Sequence, residues 1–451
     1  MSLNKQQKQT LRRASSSEVE KVFQRIPSHL ARNRWLSSRN DYVTDCIEKL
    51  KEDTQPGKVI NGNDLSEYIA VSAPLHCFDG WATLGRALDA VTRDDPSTAV
   101  HLSYYAELRA AMSLLAAEGV GIFDDRHFAV TASGIQMIGT LNRRGRGTLT
   151  THRIAWQALE HWASLGRSEE VFKNIVQPNG IPLGQWLDAF GAASLSRAIG
   201  MKWMKTWGVD LKRLSRGSDR DARNQASYRP TYLAQVAQLD VNECSSFVRR
   251  LWQVCEPSQP ARFEALDRYL LRRTLKQAYD ALPHTISYED RVASMINSVL
   301  PAGGALADAW SRFLIGLTDP DDPALITEAS RRAKRSDPRH HLQVLSRATL
   351  LLRVATGACM KLLRSVPIGR NELEFWWKSL GEQHALWAPG GEPDDLTELW
   401  EDVNASVEDL NDWEDRNSRL NPSYTSWRAE LPRQISILGE CERVALWGLG
   451  L

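Results

Sequence analysis

His101-Leu-Ser-Tyr-Tyr-Ala-Glu-Leu-Arg-Ala-Ala-Met-Ser-Leu-Leu-Ala-Ala-Glu-Gly119 is the stretch on which the reading of this chain turns. Tyr104, Leu108, Ala111, Met112 and Leu115 recur three or four residues apart, the spacing that lines up one apolar face of an α-helix. Gly119 follows where a helix commonly closes in the left-handed conformation. Elsewhere in the chain, the alternation of apolar and polar residues that marks half-buried strands is nearly absent. Only Gly119–Phe123 and Phe128–Val130 suggest a small hairpin. The fold class expected is therefore all-α.

The chain of 451 residues exceeds the size at which one core normally keeps growing, so more than one domain is expected. Residues 1–56 read as a disordered start, through about residue 16, followed by N-terminal helices, with Ser17-Glu-Val-Glu20 as a capping box. Residues 57–256 read as a first helical domain. Pro257–Pro260 is the candidate boundary, and 257–451 reads as a second, mostly helical domain. Its expected helices are Arg262–Leu282, Tyr288–Leu300, Leu306–Leu317, His341–Leu363, Glu372–Leu380 and Leu396–Leu410.

With 56 Lys and Arg against 55 Asp and Glu, the net charge of +1 favours no class of partner, so any nucleic-acid surface must be a local basic patch. No apolar run approaches the roughly 18–20 residues needed to cross a bilayer, and the basic start lacks the apolar core of a secretory signal; a cytoplasmic protein without membrane contact is expected. Six scattered cysteines show neither disulfide nor zinc spacing, so buried free thiols are expected and no metal is assigned. Phosphate loops, dinucleotide fingerprints, zinc helices and serine elbows are also missing, and no cofactor is implied.

A second stretch, Arg223-Asn-Gln-Ala-Ser-Tyr228, bears on chemistry. Together with the paired tyrosines, Ala-rich middle and Leu-Leu-x-x-x-Gly ending of 101–119, it resembles HEPN domains, including the YaaC-like and toxin-type members, over roughly residues 60–256. Asp240–Val254 resembles the closing helix of that fold, and His127 sits where the family often has a His. The resemblance implies a helical bundle, frequent dimerisation and frequent service in toxin–antitoxin and antiviral defence systems. It also implies metal-independent RNA cleavage, in which an Arg holds the phosphate and a His four to six residues on handles a proton. Here Tyr228 stands in the His position. A phenol, with an ordinary pKa of about 10, is a poor base at pH 7.

The candidate catalytic residues are thus Arg223, Asn224, Tyr228 and His101. His101, Tyr105 and Arg109 share one helix flank and offer a compensating His near Arg223. Arg223 has two readings: a phosphate clamp, or an ion-pair partner of Asp219 or Asp221. The phosphate-binding candidates are Arg143, Arg144 and Arg146 in a turn-forming loop, and Arg335, Arg339 and His340 at the start of a strongly helical segment. Arg146 with His152, and Arg335 with His340, also fit the loose Arg/His spacing. The basic run Arg331–Arg370 contrasts with Glu392–Asp415, which holds eleven carboxylates and no Lys or Arg. Each is read either as a binding surface or as charges paired within the fold or solvated. Trp376, Trp377, Trp387, Trp400 and Trp413 suit a protein-binding surface as well as a core, core being preferred for most. Two functions follow as expectations. One is a non-catalytic helical subunit that binds RNA, DNA or a protein partner, or dimerises, in a bacterial defence or toxin-like system. The other is a HEPN-type endoribonuclease with an altered Arg/Tyr motif.

Overall fold

The computed structural model describes residues 2–142, 145, 147, 149–192, 204–228, 238–258, 262–282, 285–332, 337–417 and 419–449. The described residues are mostly helical, with one small three-stranded sheet among them.

The stretch that opens the sequence reading lies in the Pro96–Ala117 helix. Asp95 caps its first turn by accepting the Thr98 N–H at 3.0 Å, and Pro96 supplies a first residue that needs no hydrogen-bond partner. Gly119 takes a φ of +84° just past its end, and a Cβ there would press on the Ser15 and Val130 backbones. The helix is buried on more than one face. Small residues, including Ser103, Ala106, Ala110 and Ser113, are as enclosed as Leu108 and Leu115. They admit two long neighbours, Gly62–Thr92 and His340–Arg364. Ser113 donates its hydroxyl to the Ala73 carbonyl at 2.8 Å on one neighbour and lies 3.2 Å from the Cys359 thiol on the other. These three helices form the hub of the molecule.

Directly after the hub helix come β1 (Val120–Phe123), β2 (Arg126–Thr131) and β3 (Gly134–Met137), an antiparallel sheet in the order β1-β2-β3. The expected hairpin is its first pair, in register Val120 with Ala129 and Phe123 with Arg126, and β3 extends it.

The start of the chain departs from expectation. Lys5–Arg13 is a helix with a reciprocal Asn4/Gln7 capping box, and the next helix, Ser16–Phe23, is capped by Ser15 rather than Ser17. Leu3 and Leu11 are buried, Arg167 donates to the Leu11 carbonyl at 3.0 Å, and His161 contacts the Lys8 carbonyl at 3.2 Å. Those partners lie some 150 residues along the chain, so the local composition, which is polar and basic, gives no sign of them.

In the C-terminal half the expected helices are present, with ends shifted by a few residues: Glu264–Asp280, Tyr288–Val299, Gly304–Ile315, His340–Arg364, Glu374–Gln383 and Leu399–Asn417. The apolar core nevertheless runs across the boundary expected at 257–260. One connected cluster reaches from Leu3 to Leu449, because His340–Arg364 threads between helices of the first half. Trp376, Trp377 and Trp413 are buried in that core, and Trp387 and Trp400 pack against it. Among the described residues no helix is long and apolar enough to cross a membrane. All six cysteines are buried and free.

Candidate functional site

The Ser218–Tyr228 helix lies against Pro96–Ala117, and three contacts join them in antiparallel order. Asp219, Arg223 and Ser227 are four residues apart and so share one face. They meet Glu107, then Tyr104 with Tyr105, then His101.

The deepest contact is ionic. Arg347, from the third hub helix, donates through Nε to Asp219 Oδ2 at 2.7 Å, with Nη2 2.6 Å from the same oxygen and Glu107 Oε1 3.6 Å from Nε. All three side chains are buried. Burial raises the Asp219 carboxyl, but Arg347, the Ser218 hydroxyl and Arg213 together outweigh it and hold Asp219 below its usual range. Burial and the neighbouring Asp219 push Glu107 well above the carboxylate range.

Above this triad the Arg223 guanidinium lies over the rings of Tyr104 and Tyr105, 5.3 and 5.4 Å from their centroids. Arg223 is only 7% exposed, and its Nε has no hydrogen-bond partner among the described residues. Neither carboxylate expected for it is used. Asp219 belongs to Arg347, and Asp221 lies 3.5 Å from Arg220. Arg223 is therefore an enclosed cation with no described anion beside it, a costly arrangement unless a ligand supplies one.

Two histidines complete the site. His101 Nδ1 lies 2.6 Å from Ser227 Oγ, and its ring sits 5.0 Å from that of Tyr105. His152 Nδ1 lies 3.0 Å from Tyr104 Oη, which also receives the Trp156 indole N–H at 3.5 Å. Burial and the Arg223 charge lower the pKa of both imidazoles, so both are neutral at pH 7. Burial pushes the Tyr104 phenol up to about 12. The set thus offers a cation, two neutral imidazoles and a ring face.

The structure brings together Arg223 and His101 of the sequence candidates. Asn224 is half-buried on the same helix, and Tyr228 is 74% exposed at its end. Arg109 turns to Asp79, at 2.6 Å, on Gly62–Thr92. His127 is buried in β2 with Nε2 3.0 Å from the Leu149 carbonyl, so it is not the compensating His. Arg143, Arg144, Arg146 and Arg335 lie outside the described residues. Arg339 is committed to Glu243 and Glu328, the former at 2.5 Å, and His340 is 3% exposed, so neither presents a free phosphate-binding group. The rest of the basic run pairs mostly inside the fold: Arg331 with Glu328, Arg332 with Asp210, Arg353 with Asp267, Lys361 with Glu20. Of the acidic run, Glu392, Glu414 and Asp402 pair with Lys378, Arg249 and Arg443. In the sequence His152 fits only the spacing to Arg146, and Tyr104 and Ser227 carry no site signal of their own. The four-residue recurrence of Asp219, Arg223 and Ser227 was the available signal.

Among the described residues no group of three or more His, Cys, Asp or Glu side chains gathers as metal ligands would. No protein-family model, curated protein or solved structure matches the chain.

Proposed function

We propose that this chain is a helical RNA-binding protein that grips a backbone phosphate at Arg223, in keeping with its resemblance to HEPN domains and the toxin and defence systems they serve. The observation that carries this is Arg223 itself: an enclosed guanidinium over two tyrosine rings with no described carboxylate beside it. A phosphate would supply the missing charge, and the half-buried Tyr105 ring offers a base a stacking surface. The test is equilibrium binding of labelled single-stranded RNA by the full chain and by Arg223→Ala across a salt series. Loss of one phosphate contact weakens binding for all sequences and lowers the salt slope by roughly one ion. Unchanged affinity and slope would reject the reading.

A second reading, RNA cleavage, is favoured by one observation: a neutral His101 stands on the same rim as Arg223. A neutral imidazole can accept the 2′-hydroxyl proton while Arg223 holds the phosphate. Incubation with labelled tRNA and mRNA without metal decides it. Cleavage that is lost in both Arg223→Ala and His101→Ala makes the protein an endoribonuclease; intact RNA leaves it a binding protein.

A further inference from the structure

A cleft of about 900 Å³ opens where the end of the Val241–Val254 helix, the start of Glu264–Asp280, the Gly304–Ile315 helix and the Asp319–Pro323 loop converge. Its volume falls within the range of ligand sites, roughly 300–1,000 Å³, and so suits a short segment rather than a whole domain face.

The wall is built, not loose. Arg272, 1% exposed, donates to the Asp319 and Asp321 carbonyls and to the Asp322 carboxylate, the last at 3.2 Å, which pins the acidic loop. Arg268 lies over Tyr269 and Phe313, 5.0 and 4.9 Å from their centroids, and meets Asp319 at 3.5 Å. These two cations are spent on the protein.

The remaining charge is mostly negative. Glu256 and Asp321 make no ion pair among the described residues, whereas burial pushes the Glu264 carboxyl, which accepts the Asn179 backbone N–H, up to about 7 and leaves it only partly charged. Arg250, exposed at the edge, is the free cation opposing them among the described residues. Beside this acidic rim Leu306 stands 52% exposed next to Trp310 and Phe313. A polyanion would be repelled here, so the cleft is not an extension of the Arg223 site. We propose that it docks a short segment of a partner protein in which Lys or Arg side chains alternate with aliphatic ones: the cations meet Glu256 and Asp321 and the aliphatic side chain covers Leu306.

The full chain is titrated into a fluorescent Lys-Leu-Lys-Leu-Lys-Leu peptide and, separately, into Glu-Leu-Glu-Leu-Glu-Leu. Glu256→Lys with Asp321→Lys, and separately Leu306→Ala, change exposed side chains, and their far-UV circular dichroism confirms that they remain folded. The expected result is saturable binding of the basic peptide only, weakened roughly tenfold by each variant. Equal binding of the acidic peptide, or unchanged affinity in both variants, overturns the proposal. So does displacement by spermidine at equal charge concentration together with indifference to Leu306→Ala, because the site would then hold cations without regard to an apolar neighbour. Concentration-dependent dimerisation abolished by Leu306→Ala would assign the cleft to a second copy and overturn it likewise.

Discussion

Arg347 and Asp219, 128 residues apart in the chain, are joined inside the protein by Arg347 Nε donating to Asp219 Oδ2 at 2.7 Å. This contact holds the helix that carries Arg223 against the hub, so site and core share one ionic lock. Replacing Arg347 with Met leaves a buried carboxylate unpaired, and a loss of about 3–5 kcal/mol is expected from urea denaturation. Arg347→Met with Asp219→Asn should recover part of that loss. A double variant no more stable than the single one would show that the pair is not the source.

If a phosphate binds at Arg223, its binding should be coupled to the protonation of His101 and His152. The Arg223 charge helps keep both imidazoles neutral, so a phosphate placed on Arg223 weakens that field and raises both pKa values. Proton uptake on RNA binding is therefore expected at mildly acidic pH and should vanish toward pH 8. Calorimetry in two buffers of different ionisation enthalpy measures it; release of protons would contradict the geometry.

His101→Ala separates the two functional readings. If the chain only binds, affinity should fall modestly, because Arg223 still holds the phosphate. If it cleaves, the rate should fall by about 10²–10⁴ with affinity little changed. Single-turnover assays read rate and affinity apart.

Acid should destabilise the fold. Burial lowers the pKa of His127 and His341 to about 4, against the ordinary value of 6.5. Between those values the unfolded chain binds the protons and the folded one refuses them. The stability is fully present above pH 6.5 and is lost as pH falls toward 4. Denaturation midpoints should decline through that window, and His127→Gln should reduce the slope by roughly one proton. A variant as pH-sensitive as the parent would refute the assignment to His127.

Gly85 marks where the last helices return to the hub. A Cβ built there would lie 2.3 Å from the Gly439 carbonyl and 2.9 Å from the Cys441 nitrogen. Both are backbone atoms, so the contact cannot be relieved by a rotamer. Gly85→Ala should cost about 1–3 kcal/mol by forcing the two segments apart. A neutral substitution would mean that the C-terminal helices are not tightly docked.

What could be read in the residues alone was the local grammar. The 101–119 periodicity, the closing Gly119 and the C-terminal helices all follow from spacing and caps, which act within one or two turns. The spacing of Arg223 and His101 singled both out as candidates, and the fold brings them to one site. The reading of residues 1–16 failed because Lys5–Arg13 is held by Arg167 and His161, and no local pattern encodes a distant partner.

The sequence by itself therefore determined a mostly helical protein with an Arg223-centred question, because helix formation depends on neighbours three and four residues away. Only the tertiary structure decided that Arg223 is paired with neither Asp219 nor Asp221. That outcome rests on Arg347 arriving from 128 residues along the chain to take Asp219, and charge pairing inside a protein goes to the partner whose geometry offsets desolvation, whatever its distance in sequence.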